Sequence, residues 1–68
     1  MRNNVAELRK RKKVSQEELG NLVGVTRQTI TSIETGKYTA SLPLAIKIAR
    51  YFGLPVEEIF ELTEEDEK

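Results

Sequence analysis

Cysteine and histidine are both absent from this chain of 68 residues. Without cysteine there are no disulfides and no thiolate zinc sites. Without histidine the commonest metal ligand and general base is missing. The acidic residues near the end, TEEDEK, read as solvated charge and not as a metal cluster. The expectation is therefore a protein that is not an enzyme, with no cofactor, no metal and no evident small-molecule site. Long apolar runs are lacking too. The longest patches, such as LAIKIA, are short and interrupted by Lys47. No membrane span or signal peptide fits, so a cytoplasmic location is expected. The length implies one domain, residues 1–68. A domain this small buries only about 60% of the surface its unfolded chain exposes. Such a core gains from oligomerisation or very regular helix packing.

The net charge of zero hides a division along the chain. Residues 1–38 contain eight Lys/Arg and four Glu, 8 − 4 = +4. Residues 39–68 contain three basic and seven acidic residues, 3 − 7 = −4. The basic half hints at a polyanionic partner. By itself the division is weak evidence, because charge runs are usually solvated faces.

Helical signals recur along the chain. Asn4 is placed to cap a first helix, with Glu7 returning the hydrogen bond. Val5 and Leu8 face inward. The run RKRKK, Arg9 to Lys13, suits either the C-terminal dipole of that helix or phosphate contact. Ser15 and Glu18 form an S-x-x-E capping box for a second helix at 16–23. Its apolar stripe is Leu19, Leu22 and Val23, and Gly24 is placed to end it. Gly20 inside this helix costs roughly 1 kcal/mol against alanine, which close approach of another helix would justify. Ser41 caps a fourth helix at 42–52, with Pro43 in its first turn. Leu42, Ala45, Ile46, Ala49 and Phe52 form the stripe, widened by Leu44, Ile48 and Tyr51. Gly53 stops it. A short fifth helix at 56–60 follows Leu54-Pro55, and the acidic tail 61–68 is expected to fray.

Between the second and fourth helices lies VTRQTITSIETGKY, Val25 to Tyr38. Thr26 reads as an N-cap, Val25 and Ile30 as a hydrophobic staple, and Ile30 and Ile33 as the inward pair. The resulting third helix, 27–34, is joined to the second by Gly24-Val25-Thr26 alone. Two short helices joined by such a turn make a helix-turn-helix unit, here residues 15–34. Hydroxyl and β-branched residues are mediocre helix formers, yet four threonines and a serine occur in this stretch. A helix pressed into a groove must be slim on its outer face, and short hydroxyls allow that.

In combination, SQEELG, the GV turn, TRQTI, IETGK and SLPLAIKIA resemble the lambda-repressor/Cro-like, XRE-type helix-turn-helix regulators. More narrowly, the chain is similar to their short stand-alone members over residues 4–60. The resemblance implies an all-α, five-helix domain that binds duplex DNA as a symmetric dimer, with the third helix in the major groove. It also implies a short β element joining the termini, Met1–Asn3 with Glu61–Thr63. The positions of Arg27, Gln28, Thr31 and Ser32 imply base contacts. Those of Gln16, Thr26, Thr29, Thr35, Lys37 and Tyr38 imply phosphate contacts, with Gln16 also bracing Arg27. Arg9 and Glu34 match a structural ion pair between the first and third helices. Tyr51, Val56, Ile59, Phe60 and Leu62 are the expected dimer interface.

Two departures from the family pattern stand out. Lys13 and Pro55 replace the Gly and the Ser or Thr found in many members. The expected function is sequence-specific regulation of transcription, most simply repression at an inverted-repeat operator. An antitoxin or other protein-interaction module on the same fold is the alternative. The short acidic tail argues against it, since little chain remains to wrap a partner.

Overall fold

The computed structural model describes residues 1–67. Its elements run β1 (Arg2–Asn3), α1 (Val5–Arg11), α2 (Gln16–Val23), α3 (Arg27–Glu34), α4 (Leu42–Phe52), α5 (Val56–Ile59) and β2 (Phe60–Glu61). The boundaries follow from local chemistry. The Ser15 hydroxyl accepts from the Glu18 amide at 3.0 Å, and the Glu18 carboxylate accepts from the Ser15 amide at 3.1 Å. This reciprocal box satisfies two amides at the start of α2. Gly24 at φ 79° and Gly53 at φ 70° end α2 and α4 in the left-handed region, where side chains with a Cβ are disfavoured. Lys13 occupies that region as well, at φ 58°, a strain of about 1 kcal/mol for a residue other than glycine.

Helix α1 begins differently from the sequence expectation. Asn4 makes no side-chain cap. Its amide reaches across the fold to the Glu58 carbonyl at 3.1 Å, while the side-chain oxygen of Asn3 accepts from the Val5 amide at 3.2 Å. Glu7 is then free to take Arg11, one helical turn on, at 2.8 Å. These asparagines serve the joined termini: β1 and β2 pair antiparallel, Arg2 opposite Glu61 and Asn3 opposite Phe60. Against the expected strands, β1 lacks Met1 and β2 lacks Leu62 and Thr63, and Phe60 belongs to β2 rather than to α5.

The core gathers Leu19 and Val23 of α2, Ile30 and Ile33 of α3, and Leu44, Ala45, Ile48 and Ala49 of α4. Val5, Ile59 and Phe60 close it. Three expectations change here. Leu22 lies 60% exposed, off the inward stripe of α2. On α4 the buried arc is centred on Leu44 and Ile48, and Leu42 faces solvent at 70% exposure. Ile59 and Phe60, expected at a dimer interface, are buried within the single chain. The two-stranded sheet turns Phe60 inward, an effect that helical periodicity alone does not convey.

The acidic tail is also tied down. Asp66 accepts from the Thr63 amide and hydroxyl, both at 2.9 Å, and pairs with the Met1 ammonium at 3.2 Å. The backbone bond from Thr63, then its hydroxyl, hold the Asp66 carboxyl below the usual aspartate range.

Gly20 has a specific neighbour. A Cβ there would meet the Val25 carbonyl oxygen at 2.7 Å and the Thr26 backbone at 3.2 Å. The close approach is therefore to the turn that launches α3, not to the body of that helix. Gly20→Val should destabilise the domain by about 1–3 kcal/mol, read as a fall in Tm. An unchanged Tm would show that the turn yields freely.

Candidate nucleic-acid interface

Helix α3 carries its apolar residues, Ile30 and Ile33, on the buried side. Thr26 caps its start: the hydroxyl accepts from the Thr29 amide at 3.3 Å and lies 3.2 Å from the Thr29 hydroxyl. Thr31 donates to the Gln16 side-chain oxygen and to the Arg27 carbonyl, each at 3.1 Å. Thr35 donates to the Thr31 carbonyl at 3.0 Å and the Ser32 carbonyl at 3.3 Å. The threonines are thus largely committed to caps, back-bonds and the link to α2. Their slimness opens the outer face, but most of their polar capacity is spent within the chain.

What remains free is more specific. Among the described residues, the side chains of Arg27, Gln28, Ser32, Lys37 and Tyr38 have no hydrogen-bond or ion-pair partner. Arg27 and Gln28 are exposed in the first turn of α3, and Ser32 lies one turn further along. Arg27, Gln28, Thr31 and Ser32 together line one hollow on the surface. The loop after α3 is held to the helix by the Lys37 and Tyr38 amides, which donate to the Ser32 carbonyl at 2.9 and 3.2 Å. Their side chains therefore start from fixed backbone positions beside α3.

A second groove of about 560 Å³ runs from α3 to the start of α4 and includes Gln28, Ser32, Tyr38, Ser41 and Lys47. Lys47 and Ser41 escaped the sequence reading. Lys47 counted there only as an interruption of an apolar run, and Ser41 as a cap. A signal was present, because Lys47 shares a helix face with Pro43 and Leu44, on the side away from Leu42 and Ile46. Only the packing of α4 shows that this side adjoins the groove.

Behind the face lies a polar network. Arg9 Nε donates to Glu34 Oε2 at 2.8 Å and Arg9 Nη2 to Glu34 Oε1 at 3.3 Å. A third bond runs from Arg9 Nη1 to the Val14 carbonyl at 3.0 Å. Both charged side chains are largely withdrawn from water, 13% exposed for Arg9 and 6% for Glu34. Gln16 Nε2 donates to Glu34 Oε1 at 2.9 Å. Gln16 therefore braces Glu34 and Thr31; it forms no bond to Arg27, contrary to the sequence expectation. The result is electrostatic as well as structural. Glu34 is the sole acid of α3, and its charge is turned inward and matched by Arg9.

The basic run is divided among tasks. Arg9 enters this network, Arg11 pairs with Glu7, and the Lys12 ammonium sits 4.6 Å from the Tyr51 ring centroid. Tyr51 also packs edge-on against Phe52, which leaves little of its ring for a partner.

Comparisons with known proteins agree with this arrangement. The helix-turn-helix family model matches residues 5–59. The chain is 53% identical over 66 residues to the uncharacterized HTH-type transcriptional regulator YgzD of Bacillus subtilis, covering 97% of this chain and 100% of that protein. It is 31% identical over 55 residues to the cryptic phage CTXphi transcriptional repressor RstR of Vibrio cholerae, covering 81% of this chain and 50% of that protein. The crystal structure of the restriction-modification controller protein C.AhdI from Aeromonas hydrophila superposes with a TM-score of 0.76 at 33% identity. That match covers 84% of this chain and 86% of the other. The chain belongs to the XRE-type helix-turn-helix family and is a DNA-binding transcriptional regulator. No helix among the described residues is long and apolar enough to cross a membrane.

Removing one partner of a largely buried ion pair leaves the other charge uncompensated. Glu34→Ala should therefore cost about 3 kcal/mol in urea unfolding. The double variant Arg9→Met, Glu34→Ala should recover part of that loss. Additive losses would show that the two side chains act independently.

Proposed function

We propose that the protein is a repressor that binds an inverted-repeat operator as a homodimer, with α3 in the major groove. The observation that carries this reading is the free polar set at the start of α3. Arg27 and Gln28 stand exposed and unpartnered where the other polar side chains of the helix are mostly tied back. Arginine pairs with the O6 and N7 edge of guanine, and glutamine with the N6 and N7 edge of adenine. Ser32 and Thr31 extend the same face. Lys37 and Tyr38, with Gln16, Thr26 and Thr29, flank it as phosphate contacts that position without reading sequence. Thr35, expected among them, has its hydroxyl and amide protons committed to carbonyls within the chain. Ser41 and Lys47 join them from α4. Repression fits the likeness to a phage repressor, because a small domain seated on an operator blocks access to it without a further activity.

The burial pattern supports a dimer surface other than the one expected from the sequence. Ile59 and Phe60 are core; of the exposed large apolar side chains, Leu42 and Ile46 on one face of α4 and Leu62 after β2 are the surface we assign to a second copy, with Leu22 and Tyr38 exposed elsewhere. Half-buried Val56 borders the same end of the chain. Covering these side chains stabilises a marginal domain. A two-fold pair presents two α3 helices to half-sites about one helical turn apart.

Selection from random duplexes, followed by anisotropy titrations over a salt series, tests the DNA reading. The expected product is an inverted repeat bound with a steep negative salt slope. Gln28→Ala should relax one half-site position by about 1–3 kcal/mol, and Lys37→Ala should weaken all sequences alike and flatten the slope by about 1. If Gln28→Ala changed neither affinity nor base preference, α3 would not dock this way.

The interface has its own test. Leu42→Glu places an acid in the first turn of α4, where the dipole favours it, so the fold should survive. Sedimentation should then show monomers where the unaltered chain is dimeric. An unaltered chain that is monomeric both on and off DNA would remove the interface.

A further inference from the structure

The network behind α3 has a direction. Glu34, paired with Arg9, offers only acceptor oxygens to its neighbours. The end of the Gln16 amide that faces it at 2.9 Å must therefore be the NH₂ group. The carbonyl end of the same amide then faces Thr31 at 3.1 Å, and an amide oxygen only accepts. The Thr31 hydroxyl must donate. A second acceptor, the Arg27 carbonyl, lies at the same 3.1 Å. A hydroxyl has one proton, and here two internal acceptors share it. The Thr31 oxygen keeps lone pairs but has no proton to give outward. Its residue is half-exposed and lines the hollow with Arg27, Gln28 and Ser32.

We infer that Thr31 is a specificity-determining residue that reads DNA as a hydrogen-bond acceptor, and that Glu34 sets this polarity through Gln16. The inference rests on the placement of α3 in the major groove proposed above. In that groove adenine presents its N6 amino group and cytosine its N4 amino group as donors, whereas guanine O6 and N7 and thymine O4 are acceptors. Thr31 therefore favours an amino-bearing base, adenine or cytosine, at the strand position it faces. It disfavours guanine and thymine there. Ser32, with no internal partner, has no such constraint and accepts either edge. Glu34 touches no base; it is a positioning residue.

Parallel selections with the unaltered chain and with Thr31→Val identify the position whose preference depends on the hydroxyl. Valine keeps the shape and removes the oxygen. That position is then rebuilt with a base analogue lacking only the exocyclic amino group, purine for adenine or 2-pyrimidinone for cytosine. Both proteins are titrated on both duplexes. The unaltered chain should lose about 3- to 10-fold in affinity on the analogue, the worth of one hydrogen bond, while Thr31→Val should bind the two duplexes equally. Glu34→Gln lets its own amide donate to Gln16, which then flips and occupies a lone pair of Thr31. It should relax preference at this same position, whereas a merely structural loss would weaken all sequences alike.

A preference for guanine or thymine there overturns the inference, as does an equal loss for both proteins or a Thr31→Val profile identical to the unaltered one. If Thr31→Val fails to fold, analogue substitution at each adenine and cytosine of the operator with the unaltered chain decides the matter, and no affected position would overturn it. Failure of the unaltered chain to enrich any sequence would instead overturn the groove reading itself.

Discussion

The ion pair between Arg9 and Glu34 joins the first and third helices at a point largely shielded from water. Charges so withdrawn persist only when matched and further hydrogen-bonded. Here the match is two-pronged, and the spare donors and acceptors are taken by the Val14 carbonyl and the Gln16 amide. Three helices and the intervening turn are thereby referred to one carboxylate. No buried side-chain polar atom among the described residues lacks a partner. In so small a core, a single unsatisfied group would cost a large part of the net stability. The pair also turns the sole negative charge of α3 away from the free polar face that Arg27 and Gln28 begin.

The composition of α3 follows from this arrangement. Beyond Arg27 and Gln28, long side chains on its outer face would hold any partner at a distance. Short hydroxyls permit close approach, but free hydroxyls on every turn would make an indiscriminate surface. The chain spends most of them internally, on the cap at Thr26, the back-bonds of Thr31 and Thr35, and the link from Thr31 to Gln16. Arg27, Gln28 and Ser32 are left as the side chains free to bond outward. Back-bonding threonines are poor helix propagators in isolation, so α3 depends on Ile30 and Ile33 in the core and on its cap to stay folded.

The termini complete the domain. Two residues on each side make the sheet, and alone it would have little stability. Asn3 donates to the Ile33 carbonyl at the end of α3 at 2.8 Å, and Asn4 to the Glu58 carbonyl beside α5. Asp66 gathers Thr63 and the N-terminal ammonium. The sheet thus buttresses the C-terminal end of α3 and turns Phe60 into the core. That inward turn places Phe60 in the core and leaves Leu62 exposed beyond it.

Much of the fold was legible along the chain. The S-x-x-E box, Thr26, Ser41 and the glycines at 24 and 53 are local signals, acting through bonds to residues a few positions away. They placed α2, α3 and α4 at their observed limits. The helix-turn-helix pattern pointed to the same face of α3 that the structure leaves free. Resemblance to the family supplied the Arg9–Glu34 pairing, the β element and the roles expected of individual residues. Those are contacts between distant parts of the chain that no local pattern encodes.

The rest was decided in three dimensions. Periodicity defines an apolar arc but not which edge of it meets neighbours, so Leu22 and Leu42 fall on the inward stripes by spacing yet face solvent in the fold. For Asn4 a cap is the local option, but with the strands paired its side-chain amide meets the distant Glu58 carbonyl instead. The polarity of Gln16 and Thr31 depends on a carboxylate contributed by another helix. The sequence by itself determined where helices start and stop and which helix carries the free polar face, because those depend on near neighbours. Only the tertiary structure decided which side chains are core, which remain for a partner, and in which direction each hydrogen bond runs, because a donor or an apolar surface is committed by whatever distant group meets it.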